Sequence, residues 1–151
     1  MWASQNGHLE VVRELLWRGA NVNAACTDDG ITSLMWACMK GHLEVVCELL
    51  GQGASVNAAQ TDDGKTSLMW ASEKGYFEIV RELLEQGANV HTAMISDGST
   101  SLMWACYKGH LEVARLLLAH KASKTAVHYY GMNAYDHTPA ARAELRELVK
   151  P

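Results

Sequence analysis

The hexapeptide Thr-Ser-Leu-Met-Trp-Ala occurs at 32–37, again at 66–71 and again at 100–105, a spacing of 34 residues each time. Gly7, Gly41, Gly75 and Gly109 keep the same interval, as do Trp2, Trp36, Trp70 and Trp104. So do the steps Asp29-Gly30, Asp63-Gly64 and Asp97-Gly98. Segments 23–56 and 57–90 are identical at 24 of 34 positions. A period of this length is one supersecondary unit, and so small a unit cannot bury an apolar face alone. Stacking buries it, so each copy must present the same surface to the next. The chain therefore reads as one domain: a partial repeat at 1–22, full repeats at 23–56, 57–90 and 91–124, and a shortened closing unit at 125–151.

Within each unit the local signals agree. Asp-Gly marks a turn. Thr32, Thr66 and Thr100 follow two residues later, where a hydroxyl can accept from an orphan N–H at a helix start. The spacing predicts a short apolar helix from Ser33 to about Met39, ended by Gly41, which tolerates the left-handed conformation of a helix end. A second helix is predicted over His42–Leu50, with Leu43, Val46, Leu49 and Leu50 at helical spacing. Gly53 stops it.

Residues 29–58 read DGITSLMWACMKGHLEVVCELLGQGASVNA. This resembles the ankyrin repeat, whose pattern runs Asp-Gly-x-Thr-Pro-Leu-His, then Gly-His-x-Glu-Val-Val, then Gly-Ala-x-Val-Asn-Ala. The resemblance covers the chain from its first residue to about Lys124, and 125–150 look like a shortened terminal repeat carrying GMNAYDHTP. It implies an all-α fold, an ankyrin repeat solenoid of stacked helix–turn–helix units with projecting turns. Three features depart from the pattern. The repeat is one residue longer than usual, with the addition in the turn NAACTDDG. Met replaces the His whose side chain ties neighbouring turns in the family, and a thioether cannot donate a hydrogen bond. Lys121 stands where glycine should close the fourth repeat's second helix, at a cost of roughly 1 kcal/mol if its φ is positive.

The Met-Trp pair is expected to replace that histidine as glue between repeats. The four tryptophans would form a core stripe along the inner helices. Met35, Met69 and Met103 would pack beside them as adaptable filler. The competing reading is an exposed aromatic ladder that meets a ligand. The first repeat is as apolar as an internal copy and adds Trp17, so the expectation is a segment of a longer array. The other end reads as a cap: Thr138 as N-cap, Pro139 at the first helical position, then Arg142, Glu144, Arg146, Glu147 and Lys150 around a thin apolar stripe.

Recognition in a repeat scaffold falls to surface positions that differ between copies. One such row is Gln5, Met39, Glu73, Tyr107; a second is Ile31, Lys65, Ser99, Met132; a third is Cys26, Gln60, Met94, Val127. The family resemblance implies that these line the concave groove and the turn tips, where ankyrin repeats hold partners. Beside the first row run Asn6, Lys40, Lys74 and Lys108. Tyr129 and Tyr130, with His128, are expected near Tyr107 and Lys108 as an anchor, tyrosine being favoured in interface hot spots. The candidate partner-binding residues are thus Ile31, Met39, Lys40, Lys65, Glu73, Lys74, Ser99, Tyr107, Lys108, Tyr129 and Tyr130, and an acidic or mixed-charge peptide is the expected occupant.

Other classes find little support. Net charge is −4, against the basic surplus of a general nucleic-acid binder. No apolar run approaches the length of a membrane span. Cys26, Cys38, Cys47 and Cys106 form no C-x-x-C pair and no zinc spacing, and free thiols suit a reducing compartment, so an intracellular, cytoplasmic setting is expected. His8, His42 and His110 hold the Gly-His position and read as structural. No carboxylate pair, nucleophile–His set or phosphate loop stands out, so no catalysis, cofactor, metal or small-molecule substrate is expected. The expectation is a protein–protein interaction module. The alternatives are a regulatory or targeting segment of a larger enzyme or ligase adaptor, an engineered repeat binder, or a structural spacer.

Overall fold

A computed structural model describes residues 1–140 and 142–151. The described residues form ten helices in pairs: α1 (Trp2–Gln5) and α2 (Leu9–Trp17), α3 (Ser33–Lys40) and α4 (Leu43–Gly51), α5 (Ser67–Lys74) and α6 (Phe77–Glu85), α7 (Ser101–Lys108) and α8 (Leu111–Ala119), α9 (Ala134–His137) and α10 (Ala143–Val149). The first helices of the pairs pack in one row and the second helices in another, each unit against the next. This is an all-α repeat solenoid.

The caps explain the helix limits. The N–H groups of Met35, Met69 and Met103 donate to Thr32, Thr66 and Thr100 Oγ1 at 3.3, 3.4 and 3.4 Å. The Met35 sulfur in turn accepts from the Thr32 N–H at 3.5 Å. At the far end Gly75 takes φ 78°, and a Cβ there would collide with the His110 ring. Glycine is thus required both by the left-handed backbone and by the next repeat's close approach.

The core is periodic. Leu34, Leu68 and Leu102 are buried on the inner row, and Leu49, Leu83 and Leu117 on the outer. The methionines are buried with them, but the tryptophans are not, which corrects the expected Trp core stripe. Trp36, Trp70 and Trp104 are half-buried and Trp2 is exposed. Met and Trp are neighbours on a helix and so face about 100° apart. The flexible thioether takes the fully buried place, and the indole lies at the edge of the seam.

Neighbouring repeats are tied at three levels. At the turn tips, the N–H groups of Thr61, Ile95 and Tyr129 donate to the carbonyls of Asp29, Asp63 and Asp97 at 3.0, 2.9 and 2.7 Å. At the inner-helix ends, His42 Nε2 donates to the Gln5 carbonyl and His110 Nε2 to the Glu73 carbonyl, both at 3.0 Å. In the last unit Arg142 does this work, donating through Nη1 to the Tyr107 carbonyl at 2.8 Å. Behind the outer helices, Asn23 donates to the Gly53 carbonyl and accepts from the Ser55 N–H; Asn57 repeats this with Gly87 and Asn89. The third position is His91, and no equivalent clamp forms there among the described residues. Lys121, at the same seam, takes φ 66°.

The closing unit differs from its expected form. Asn133 opens α9, accepting from the Tyr135 and Asp136 N–H groups. Thr138 follows that helix instead of starting one, and its hydroxyl donates to the Ala134 carbonyl at 2.8 Å. Arg142 precedes α10, whose Leu145 and Val149 are buried while Glu144, Glu147 and Lys150 remain outside. Pro139 serves the turn between the two.

Candidate functional site

The face formed by the ends of the inner helices and the projecting turns collects most of the divergent residues. Trp70, Glu73 and Lys74 lie at i, i+3 and i+4 on α5 and so share one side. Trp36 and Lys40 repeat the spacing on α3, with the ammonium 6.0 Å from the ring centroid. Trp104, Tyr107 and Lys108 repeat it on α7. Lys40, Lys74, Tyr107 and Lys108 are exposed, and Met39 and Glu73 are partly so.

Ile31, Lys65 and Ser99 were expected on the surface and are buried instead. Each follows an Asp-Gly step, and each N–H is held by the aspartate Oδ1, at 3.0, 2.8 and 2.8 Å. That closure turns the chain back toward the inner helix, which covers these side chains. Gln60 and Met94 are buried on the other side of the turn, their N–H groups donating to the Lys65 and Ser99 carbonyls at 3.0 and 2.9 Å.

Lys65 is the centre of the face. Its side chain is only 6% exposed, and its Nζ pairs with Glu73 Oε2 at 2.5 Å, Glu73 itself being 12% exposed. The ammonium lies 3.6 Å from the Trp70 ring centroid and 4.4 Å from that of Trp104. A cation there is held by one carboxylate and by the negative faces of two indoles from adjacent repeats. Trp70 is fixed in turn, donating from Nε1 to Gln60 Oε1 at 2.7 Å. The second Glu73 oxygen stands 3.8 Å from both Lys74 Nζ and Lys108 Nζ. The inner-helix ends of the face thus carry Lys40, Lys74 and Lys108, the last two above Glu73, while the turn tips carry Asp28, Asp29, Asp62, Asp63 and Asp97.

Next to this cluster is a cavity of about 270 Å³, lined by Asp97, Ser99, Met103, Trp104, Tyr107 and His137. The Trp104 and Tyr107 rings meet edge to face at 6.4 Å. His137 packs against the buried His128, their ring centroids 4.7 Å apart. Burial, and then the neighbouring His128, hold the His137 pKa below its ordinary value; Asp136 and Asp97 oppose the shift. Tyr107 is therefore brought together with His137 rather than with the tyrosines of the turn. Tyr129 lies at that turn, its hydroxyl donating to the Ile95 carbonyl at 3.0 Å, and Tyr130 beside it is 83% exposed. The buried thiols offer no nucleophile: burial pushes Cys106 up to about 11 and raises Cys38 as well.

The sequence put forward the lysine row and Glu73 as candidates, marked Gln60 as a divergent turn position and offered the tryptophans only through the competing aromatic ladder; His137 was not among the candidates. The Trp-x-x-x-Lys spacing was the available signal for the tryptophans, since residues four apart share a helix side.

The model of three ankyrin repeats matches residues 1–94, and that of a single ankyrin repeat matches 97–130. The chain is an ankyrin repeat protein. Among curated proteins none matches it. Ankyrin repeats are generally protein–protein interaction modules and typically non-catalytic. No described helix is long and apolar enough to cross a membrane.

Proposed function

We propose that these ankyrin repeats bind an acidic segment of a partner protein along the face of Trp36, Trp70 and Trp104, with Lys40, Lys74 and Lys108 facing the partner's carboxylates. The observation that carries this reading is the segregation of charge. Three exposed lysines border half-buried indoles on one side of an acidic chain, and the Lys65–Glu73 pair holds the middle rigid. A pre-formed aromatic floor costs little entropy on binding, and like charges repel basic competitors. Met39 and Tyr107 extend the apolar contact, and Tyr129 and Tyr130 supply a second contact at the turn tip.

A random-peptide display selection tests it, run against the parent and against a variant with Lys40→Glu, Lys74→Glu and Lys108→Glu that melts like the parent. Acidic peptides enriched by the parent and not by the variant are the expected result. Enrichment of the same peptides by both would overturn it.

A further inference from the structure

Lys74 and Lys108 stand on different repeats, yet both border one carboxylate oxygen, Glu73 Oε1, at 3.8 Å. That oxygen cannot satisfy them. The other half of the carboxylate is engaged by Lys65 at 2.5 Å, and the separation of 3.8 Å lies beyond hydrogen-bond length. Among the described residues neither lysine has another carboxylate in ion-pair range. Three ammonium groups around one carboxylate leave a local surplus of two positive charges. Lys65 spends its own charge inward, between the indoles, so the surplus belongs to the two half-exposed lysines. The carboxylate beneath them is held in place, paired with Lys65, which lies in turn between the Trp70 and Trp104 rings.

We infer that the Lys74–Lys108 pair is a subsite for a phosphorylated side chain of the partner, read across the seam between the third and fourth repeats. This rests on the proposed groove reading and narrows it. A single partner carboxylate would cancel only half of the surplus. A phosphomonoester carries about −2 at neutral pH and offers three acceptor oxygens, enough for both lysines at once. Tyr107 borders the same spot, its ring 5.2 Å from Lys108 Nζ. It also forms a wall of the 270 Å³ cavity, so the partner residue next to the phosphate would place an apolar side chain there.

Three heptapeptide libraries with degenerate flanks test the subsite, the central residue being phosphoserine, glutamate or serine. The best phosphopeptide is then resynthesised in all three forms and its affinity measured by fluorescence anisotropy. The chain carrying Lys74→Gln and Lys108→Gln is compared with the parent, and Lys40→Gln serves as a control on the same lysine row. All must melt alike. The expected result is phosphoserine over glutamate by roughly tenfold or more, lost in the double variant and kept in Lys40→Gln. Equal affinity for phosphoserine and glutamate forms would overturn the phosphate subsite and leave the acidic-groove reading standing. A phosphoserine preference that survives in the double variant would also overturn it. No binding from any library would remove both readings.

Discussion

Lys65 and Glu73 are a buried ion pair whose members depend on each other. A pair of this kind adds little beyond a well-packed apolar alternative, but removing one member strands the other in a site with few dipoles to receive it. Glu73→Gln is therefore expected to cost about 3 kcal/mol or more in urea unfolding. Adding Lys65→Met should recover most of that, because a thioether suits the space between two indoles. If the double variant is no more stable than the single, the ammonium is not the source of the cost. The residue after each Asp-Gly step could be recognised as divergent from the sequence, but not as buried. Lys65 looks like Ile31 or Ser99 until Trp104, a repeat away, closes over it. That contact is tertiary, and helical periodicity carries no trace of it.

Helix limits were legible where a cap residue declares itself, as with Thr32, Thr66 and Gly75, because such caps act through bonds to the next few residues. The closing unit was misjudged for the converse reason. Thr138-Pro139 satisfies the local rule for a helix start, but Asn133 lies a few residues earlier and opens the helix first, and the Thr138 hydroxyl is drawn to the Ala134 carbonyl. The end of α8 offers a direct test. Lys121 holds φ 66°, so Lys121→Gly should stabilise the protein by about 1 kcal/mol, a rise of about 2–4 °C in Tm. The short α9 offers another. The folded His137 pKa lies below its unfolded value, so between the two the unfolded chain binds more protons. The contribution is complete above the unfolded value and falls as the pH drops through it toward the folded one. Tm should therefore decline as the pH falls through about 6.5, and less steeply in His137→Gln. An unchanged slope would mean that this imidazole does not titrate differently on folding.

Across the whole molecule, stability is a sum over repeats and seams, and equal residues contribute according to their neighbours. Leu15 and Leu49 hold the same place in successive repeats, yet Leu15 is 46% exposed and Leu49 is 2% exposed. Leu49→Ala should cost about 2–5 kcal/mol and Leu15→Ala well under half as much, by paired denaturation curves. The stack and its order were readable because a strict period admits one arrangement. The balance between groove and core was not, since Met35 and Trp36 are both large, apolar and invariant between copies, and only helix packing separates them. The missing asparagine clamp has one more effect. The seam with His91 and Lys121 has neither the side-chain clamp of the two before it nor their glycine. That seam joins the repeat of α5 and α6 to the repeat of α7 and α8. A pull on the C-terminus would thus part the stack there, with Lys74 left behind on α5 and Lys108 carried off on α7. The aromatic cavity, built wholly from the fourth repeat and the closing unit, would leave intact, so load on the chain would divide the lysine pair and spare the apolar foothold.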